Sequence, residues 1–172
     1  TAVLDPDAAS PAGLVAHHHL RADYLDPQAR AELSRLSAAI TTEFENVPAP
    51  ALARLAEARP VAPGAEAVAI CQDRSREKAH FLGCGVPCAP HALIATPEHL
   101  AAVDATLLPG ILKTSSLGYD GKGQVRVADF EELAAAWDEL KRVPCVLEKR
   151  LDLAFEVSVV VAGNPQGEVV HF

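Results

Sequence analysis

Apolar and polar positions along this chain switch between two-residue and three-to-four-residue spacing, the periods of strands and helices. Ala2-Val3-Leu4 reads as the end of a buried strand, closed by Asp5-Pro6-Asp7. Asp26-Pro27 supplies a cap and a first-turn proline, and Ala29, Leu33 and Leu36 then mark one helical face. Residues 40–44 read as a strand, and Pro48 and Pro50 introduce a helix with Leu52 and Leu55 inward. This alternation predicts βα units around a parallel sheet.

Residues 65–82 carry a helical pattern that Gly83 and Gly85 end, and Thr96-Pro97-Glu98 starts another helix. Residues 107–113 read as a strand, 118–123 as a glycine-rich loop and 124–127 as a short strand. Asp129 caps the clearest helix, Glu132 stands at the capping-box position, and Phe130, Leu133, Ala134, Trp137 and Leu140 share one face. Residues 143–148 read as a strand. Phe155, Val157, Val159 and Val161 alternate with Glu156, Ser158, Val160 and Ala162, and Asn164-Pro165-Gln166-Gly167 predicts a turn into a return strand over 168–172. Pro60 to Pro63 is the candidate domain joint.

Composition narrows the class. With 49% apolar and 22% charged residues over 172 positions, the chain has a globular balance, and 5% aromatics leaves Ala, Val and Leu to build the core. It begins at Thr1 and contains no methionine, which predicts an internal stretch of a longer protein. A net charge of −8 disfavours a nucleic-acid surface. No apolar run approaches the ~18 residues of a membrane span. Cys71, Cys84, Cys88 and Cys145 form no CxxC pair, so buried reduced thiols in a cytoplasmic setting are expected rather than a zinc site. His17-His18-His19 leads into a strand, where adjacent rings alternate faces and do not converge on one ion. Lysine appears only from Lys78 onward, followed by Lys113, Lys122, Lys141 and Lys149, an arrangement compatible with a small anionic ligand.

The strongest local signal is Lys113 at a strand end, followed by Gly118-Tyr119-Asp120-Gly121-Lys122-Gly123-Gln124. Glycines let backbone N–H groups approach phosphate, and lysines supply point charges. A flexible hairpin with solvated charges has the same pattern, and the spacing is not that of a P-loop. Glu148-Lys149-Arg150-Leu151 at a strand end, with Glu156 beyond it, suits either an adenine and ribose site or solvated edge charges. The run Asp73-Arg74-Ser75-Arg76-Glu77-Lys78 reads as a solvated helix face. Thr42-Glu43-Phe44-Glu45-Asn46 places polar groups where α/β folds bind ligands, or serves only to cap the next helix.

Taken in order, TTEFENVP from Thr41, Gln72-Asp73-Arg74 with Lys78, Leu112-Lys113 with GYDGKGQ, Leu147-Glu148-Lys149 and Glu156-Val157-Ser158-Val159 resemble the N5-carboxyaminoimidazole ribonucleotide synthetases of the ATP-grasp superfamily. The resemblance spans essentially the whole chain. It implies an incomplete α/β ATP-grasp fold. Residues 1–64 would be a Rossmann-like pre-ATP-grasp domain lacking its first strand, and 65–105 a helical connection. Residues 106–150 would be a small α+β lid domain, and 151–172 the start of the C-terminal ATP-grasp domain. It also implies a reaction in which ATP and bicarbonate carboxylate 5-aminoimidazole ribonucleotide through carboxyphosphate, in a homodimer that uses Mg2+.

Position by position, the resemblance makes Arg74, Lys113, Gly121, Gly123 and Gln124 nucleotide-binding residues. It makes Glu148, Lys149 and Leu151 the adenine-holding strand and Glu156 the ribose carboxylate. Tyr119, Asp120 and Lys122 become catalytic lid residues, and Glu43 and Glu45 lie on the substrate side. The family's leading glycine turn and its magnesium ligands have no counterpart between Thr1 and Phe172, so the 172 residues alone are expected not to turn over. Other ATP-grasp carboxylases or transformylases, and a non-catalytic nucleotide-binding module, are the competing readings.

Overall fold

The computed structural model describes residues 1–118, 122–164 and 166–172. In the first part, β1 (Ala2–Leu4) and β2 (His18–Leu20) pair in parallel across α1 (Pro11–Val15). The helix α2 (Pro27–Leu36) begins at Asp26, whose carboxylate accepts from the Ala29 amide at 2.8 Å. A second parallel pair, β3 (Ile40–Thr41) and β4 (Val61–Ala62), flanks α3 (Ala49–Ala56), which buries Leu52 and Leu55. The expected βα units are therefore present as two parallel pairs. The three histidines diverge as expected: His17 bonds Thr1, and His19 reaches the Asp5 carbonyl.

The helical stretch after the joint is broken in two. The helix α4 (Ala65–Cys71) ends at Gln72, and α5 (Arg74–Gly83) restarts with Asp73 as its cap. Asp73 adopts an extended backbone and accepts from the Ser75 and Arg76 amides at 2.8 and 3.2 Å. A side chain that satisfies first-turn N–H groups competes with a continuous helix, and here the cap wins. Burial would raise the Asp73 carboxyl, but the hydrogen bonds from Ser75 and Arg76 outweigh it and hold the group low.

A four-stranded antiparallel sheet follows, in the order β5 (His91–Ile94), β8 (Cys145–Lys149), β6 (Gly110–Thr114), β7 (Gln124–Val127). The predicted strand over 107–113 starts late. Residues Ala105–Leu107 form a 3-10 turn that Asp104 caps, and Pro109, which has no N–H to donate, precedes β6. Between β5 and that turn lies α6 (Pro97–Ala101), capped by Thr96 as expected. The helix α7 (Phe130–Glu139) crosses one face of the sheet. Asp129 accepts from the Glu132 amide, while the Glu132 side chain accepts from Ala128 N–H rather than from the cap residue.

Strand alternation gives this sheet two unlike faces. Leu112, Cys145, Leu147, Ile94 and Val127 meet Leu133, Ala136 and Trp137 of α7 in the main core. Each fully buried leucine contributes on the order of 1.5–3 kcal/mol. Phe130, expected on that face, is half-exposed at the first helical position. Ile111, Lys113, Val146 and Glu148 occupy the opposite face.

Two further expectations are corrected. Of the four cysteines only Cys145 is buried; Cys71 and Cys84 are exposed and Cys88 is intermediate, because the first three lie on or beyond helix ends. The alternating run from Phe155 does not form a long strand. Ladder pairing begins only at Val160, whose amide meets the Phe172 carbonyl, and continues through β9 (Val161–Gly163) and β10 (Val169–His171). Residues 151–159 find no strand partner among the described residues, so their pattern is left unexpressed.

Candidate functional site

The face of the sheet opposite α7 holds an ionic cluster. Lys113 on β6 and Glu148 on β8 are near neighbours in the register, and Lys113 Nζ donates to Glu148 Oε2 at 2.8 Å. Lys78 reaches the same carboxylate from α5, its Nζ 3.0 Å from Oε1. All three side chains are largely buried. Burial pushes the Glu148 carboxyl up, and the hydrogen bonds from Lys113 and Lys78 more than reverse this, so it lies below the usual carboxylate range.

The base of the glycine-rich loop closes on Thr114. The Thr114 amide donates to the Gly123 carbonyl at 2.8 Å, and Gly123 has φ +71°. A Cβ on Gly118 would stand 3.6 Å from a terminal nitrogen of Arg74, so the guanidinium lies over the loop base. Tyr119, Asp120 and Gly121 lie outside the described residues. Lys122 is exposed, and Gln124 sits beside Lys113 in the β6–β7 register.

A cleft of about 390 Å³ opens next to the loop base, with Thr42, Glu43, Phe44, Glu45 and Asn46 on one side and Arg74, Glu77 and Ser115 on the other. The Gln72 amide fixes the first wall by donating to the Glu45 and Val47 carbonyls, both at 2.7 Å. Ser115 is buried and its hydroxyl has no hydrogen-bond partner among the described residues. The structure thus gathers Glu43, Glu45 and Arg74 around one cleft, with Lys113 and Glu148 joined beside it.

Other predicted site residues lie elsewhere. Lys149 alternates to the face opposite Glu148, where its charge helps lower Asp104 after the Thr106 hydrogen bonds; its amide donates to the Pro90 carbonyl at 2.8 Å. Leu151 and Glu156 lie on the exposed 151–159 segment, and no hydrogen bond or ion pair joins Glu156 to the cluster. Sequence reasoning missed the roles of Lys78, Gln72 and Ser115. Four-residue spacing from Arg74 was the only local hint that Lys78 faces the same way. Among the described residues no three His, Cys, Asp or Glu side chains are placed to hold a metal ion, and no helix is long and apolar enough to cross a membrane.

Residues 1–72 match the ribonucleotide synthetase preATP-grasp domain and residues 79–172 the ATP-grasp domain. The N5-carboxyaminoimidazole ribonucleotide synthase of Brucella melitensis is 43% identical over 175 residues, covering 100% of this chain and 48% of that protein. A crystal structure of the ADP complex of an N5-carboxyaminoimidazole ribonucleotide synthetase superposes with a TM-score of 0.91 at 35% identity, covering 99% of this chain and 46% of the other. The Aspergillus clavatus synthase, solved with ADP and 5-aminoimidazole ribonucleotide, gives 0.80 at 27%, covering 98% and 44%. The chain spans about half the length of the curated relatives it matches. An α/β chain with these two matched regions belongs to the ATP-grasp family, among the homologues of N5-carboxyaminoimidazole ribonucleotide synthase.

Proposed function

We propose that this chain supplies the nucleotide-holding part of a ligase that carboxylates 5-aminoimidazole ribonucleotide with ATP and bicarbonate in purine biosynthesis. The observation that carries the reading is the Lys113–Glu148 pair standing beside a glycine-rich loop base, with Arg74 over that base. Phosphoryl transfer asks the protein mainly for positioning and charge neutralisation. Lys113 and Arg74 would hold nucleotide phosphates, and the β8 end with Leu151 and Glu156 the adenosine. Gly121, Gly123 and Gln124 would line the phosphates from the loop, and Tyr119, Asp120 and Lys122 would close over the reacting groups. Glu43 and Glu45 would face the aminoimidazole side of the cleft.

The proposed division of the chain is 1–64, 65–105, 106–150 and 151–172, as the family resemblance suggests. A cytoplasmic homodimer follows from the same resemblance. Magnesium would depend on ligands outside the described residues. Calorimetric titration with ADP tests the reading: saturable binding with one site per chain is expected, and no heat at millimolar ADP overturns it. Tighter ADP binding in the presence of glycinamide ribonucleotide, but not of aminoimidazole ribonucleotide, would favour a transformylase instead.

A further inference from the structure

Glu148 is bound by two ammonium groups, one on each oxygen. Lys113 takes Oε2 at 2.8 Å and Lys78 takes Oε1 at 3.0 Å. The Lys78 side chain is only 12% exposed, so it is no solvated helix charge. A lone Lys113–Glu148 pair would be neutral, and an incoming anion would have to compete with the carboxylate for its only cation. Three groups carry a net charge of +1 instead. An ammonium has three donors, so Lys113 retains capacity beyond its bond to Glu148. Arg74, one turn earlier on the same face of α5, makes no ion pair among the described residues. Even with Glu77 on the same cleft wall as Arg74, these five groups leave the α5 side with an excess of positive charge where phosphate is expected.

We propose that Lys78 is a positioning residue of the nucleotide site. By occupying Glu148 Oε1 it cancels the carboxylate charge and frees Lys113 to face the phosphates of a nucleoside di- or triphosphate. The inference rests on the nucleotide-binding reading. A purely structural strut between α5 and β8 would shape the pocket without distinguishing charged from uncharged ligands.

The test titrates ADP and adenosine into the wild-type chain and into Lys78→Met, Lys78→Gln and Lys78→Arg, each checked for native circular dichroism. Lys78→Met and Lys78→Gln are expected to weaken ADP about tenfold or more and to leave adenosine unchanged. Both should flatten the salt dependence of ADP binding, and Lys78→Arg should restore most of the affinity. Lys78→Gln keeps a donor for Glu148 while removing the charge, so it decides the question even if Lys78→Met folds poorly. Equal weakening of ADP and adenosine, or weakening of neither, overturns the proposal. A wild-type chain that binds no ADP would instead overturn the nucleotide reading beneath it.

Discussion

The Arg74 amide donates to the Ser115 carbonyl at 2.8 Å, pinning the first turn of α5 to the end of β6. This bond uses only backbone, so the Arg74 side chain is left to extend over the loop base and into the cleft. Fold and ligand chemistry are separable at this position.

Arg74→Ala is therefore expected to keep the fold and lose affinity. Among the described residues the guanidinium forms no ion pair, so its removal strands no buried carboxylate there. A charge-assisted hydrogen bond to phosphate contributes about 1.5–3 kcal/mol, or about ten- to a hundredfold in affinity. Calorimetry with ADP, alongside a melting curve within about 1 °C of wild type, checks both halves. Unchanged affinity would remove Arg74 from the phosphate site.

Gly123 is constrained by both backbone and space. Its φ of +71° is left-handed, and a Cβ there would meet Thr114 Oγ1 at 2.7 Å and Cγ2 at 3.3 Å. Gly123→Ala should cost roughly 1–2 kcal/mol from conformation alone, with more from displacing Thr114. Because Thr114 N–H is bonded to the Gly123 carbonyl, the strain falls on the loop base itself. Thermal melting should show the loss, and ADP affinity should fall with it. A substitution neutral in both would contradict this geometry.

These two residues show what was legible in the sequence. Caps such as Asp26, Thr96 and Asp129 act within three residues of themselves, and each was read correctly. The order of the motifs identified the family. Long-range pairing was harder. The run from Asp73 to Lys78 has the spacing of a solvated face, and nothing local shows that β8 lies against it. Asp73 was hidden inside an apparently continuous helix because its capping role competes with a pattern that continues on both sides. The alternating run from Phe155 is the reverse case, a strand pattern without a neighbouring strand to bond it.

Ser115 offers a test of stability without a ligand. Its backbone is fully engaged, with the amide on the Pro144 carbonyl and the carbonyl on the Arg74 amide, both at 2.8 Å, while its buried hydroxyl has no partner among the described residues. Replacing an unsatisfied buried hydroxyl with a methyl group removes a desolvation penalty. Ser115→Ala should stabilise the chain by about 1 kcal/mol, or about 2–4 °C in melting temperature. Differential scanning calorimetry of the two proteins measures this. A lower melting temperature would show that the hydroxyl is satisfied in solution.

Glu148 sets the direction of the response to acid. Its carboxyl lies below the ordinary value of 4.5 in the fold, because Lys113 and Lys78 overcome the effect of burial. A depressed folded value means that the unfolded chain takes up this proton first as pH falls. The cluster's contribution is therefore complete above 4.5 and is lost as pH drops below it through the folded value. Asp73 is depressed in the same way and adds to the loss, so wild type alone does not isolate Glu148. His91 stands opposite Glu148 in the β5–β8 register. Glu148→Gln leaves two ammonium groups facing each other, and at pH 7 it should cost about 1–3 kcal/mol, below the figure for a fully buried pair because some solvent reaches the cluster. Urea unfolding at pH 7 and at steps down to pH 3 gives the decisive comparison. The gap between wild type and variant should narrow below pH 4.5, and a constant gap would mean that Glu148 is not the titrating group.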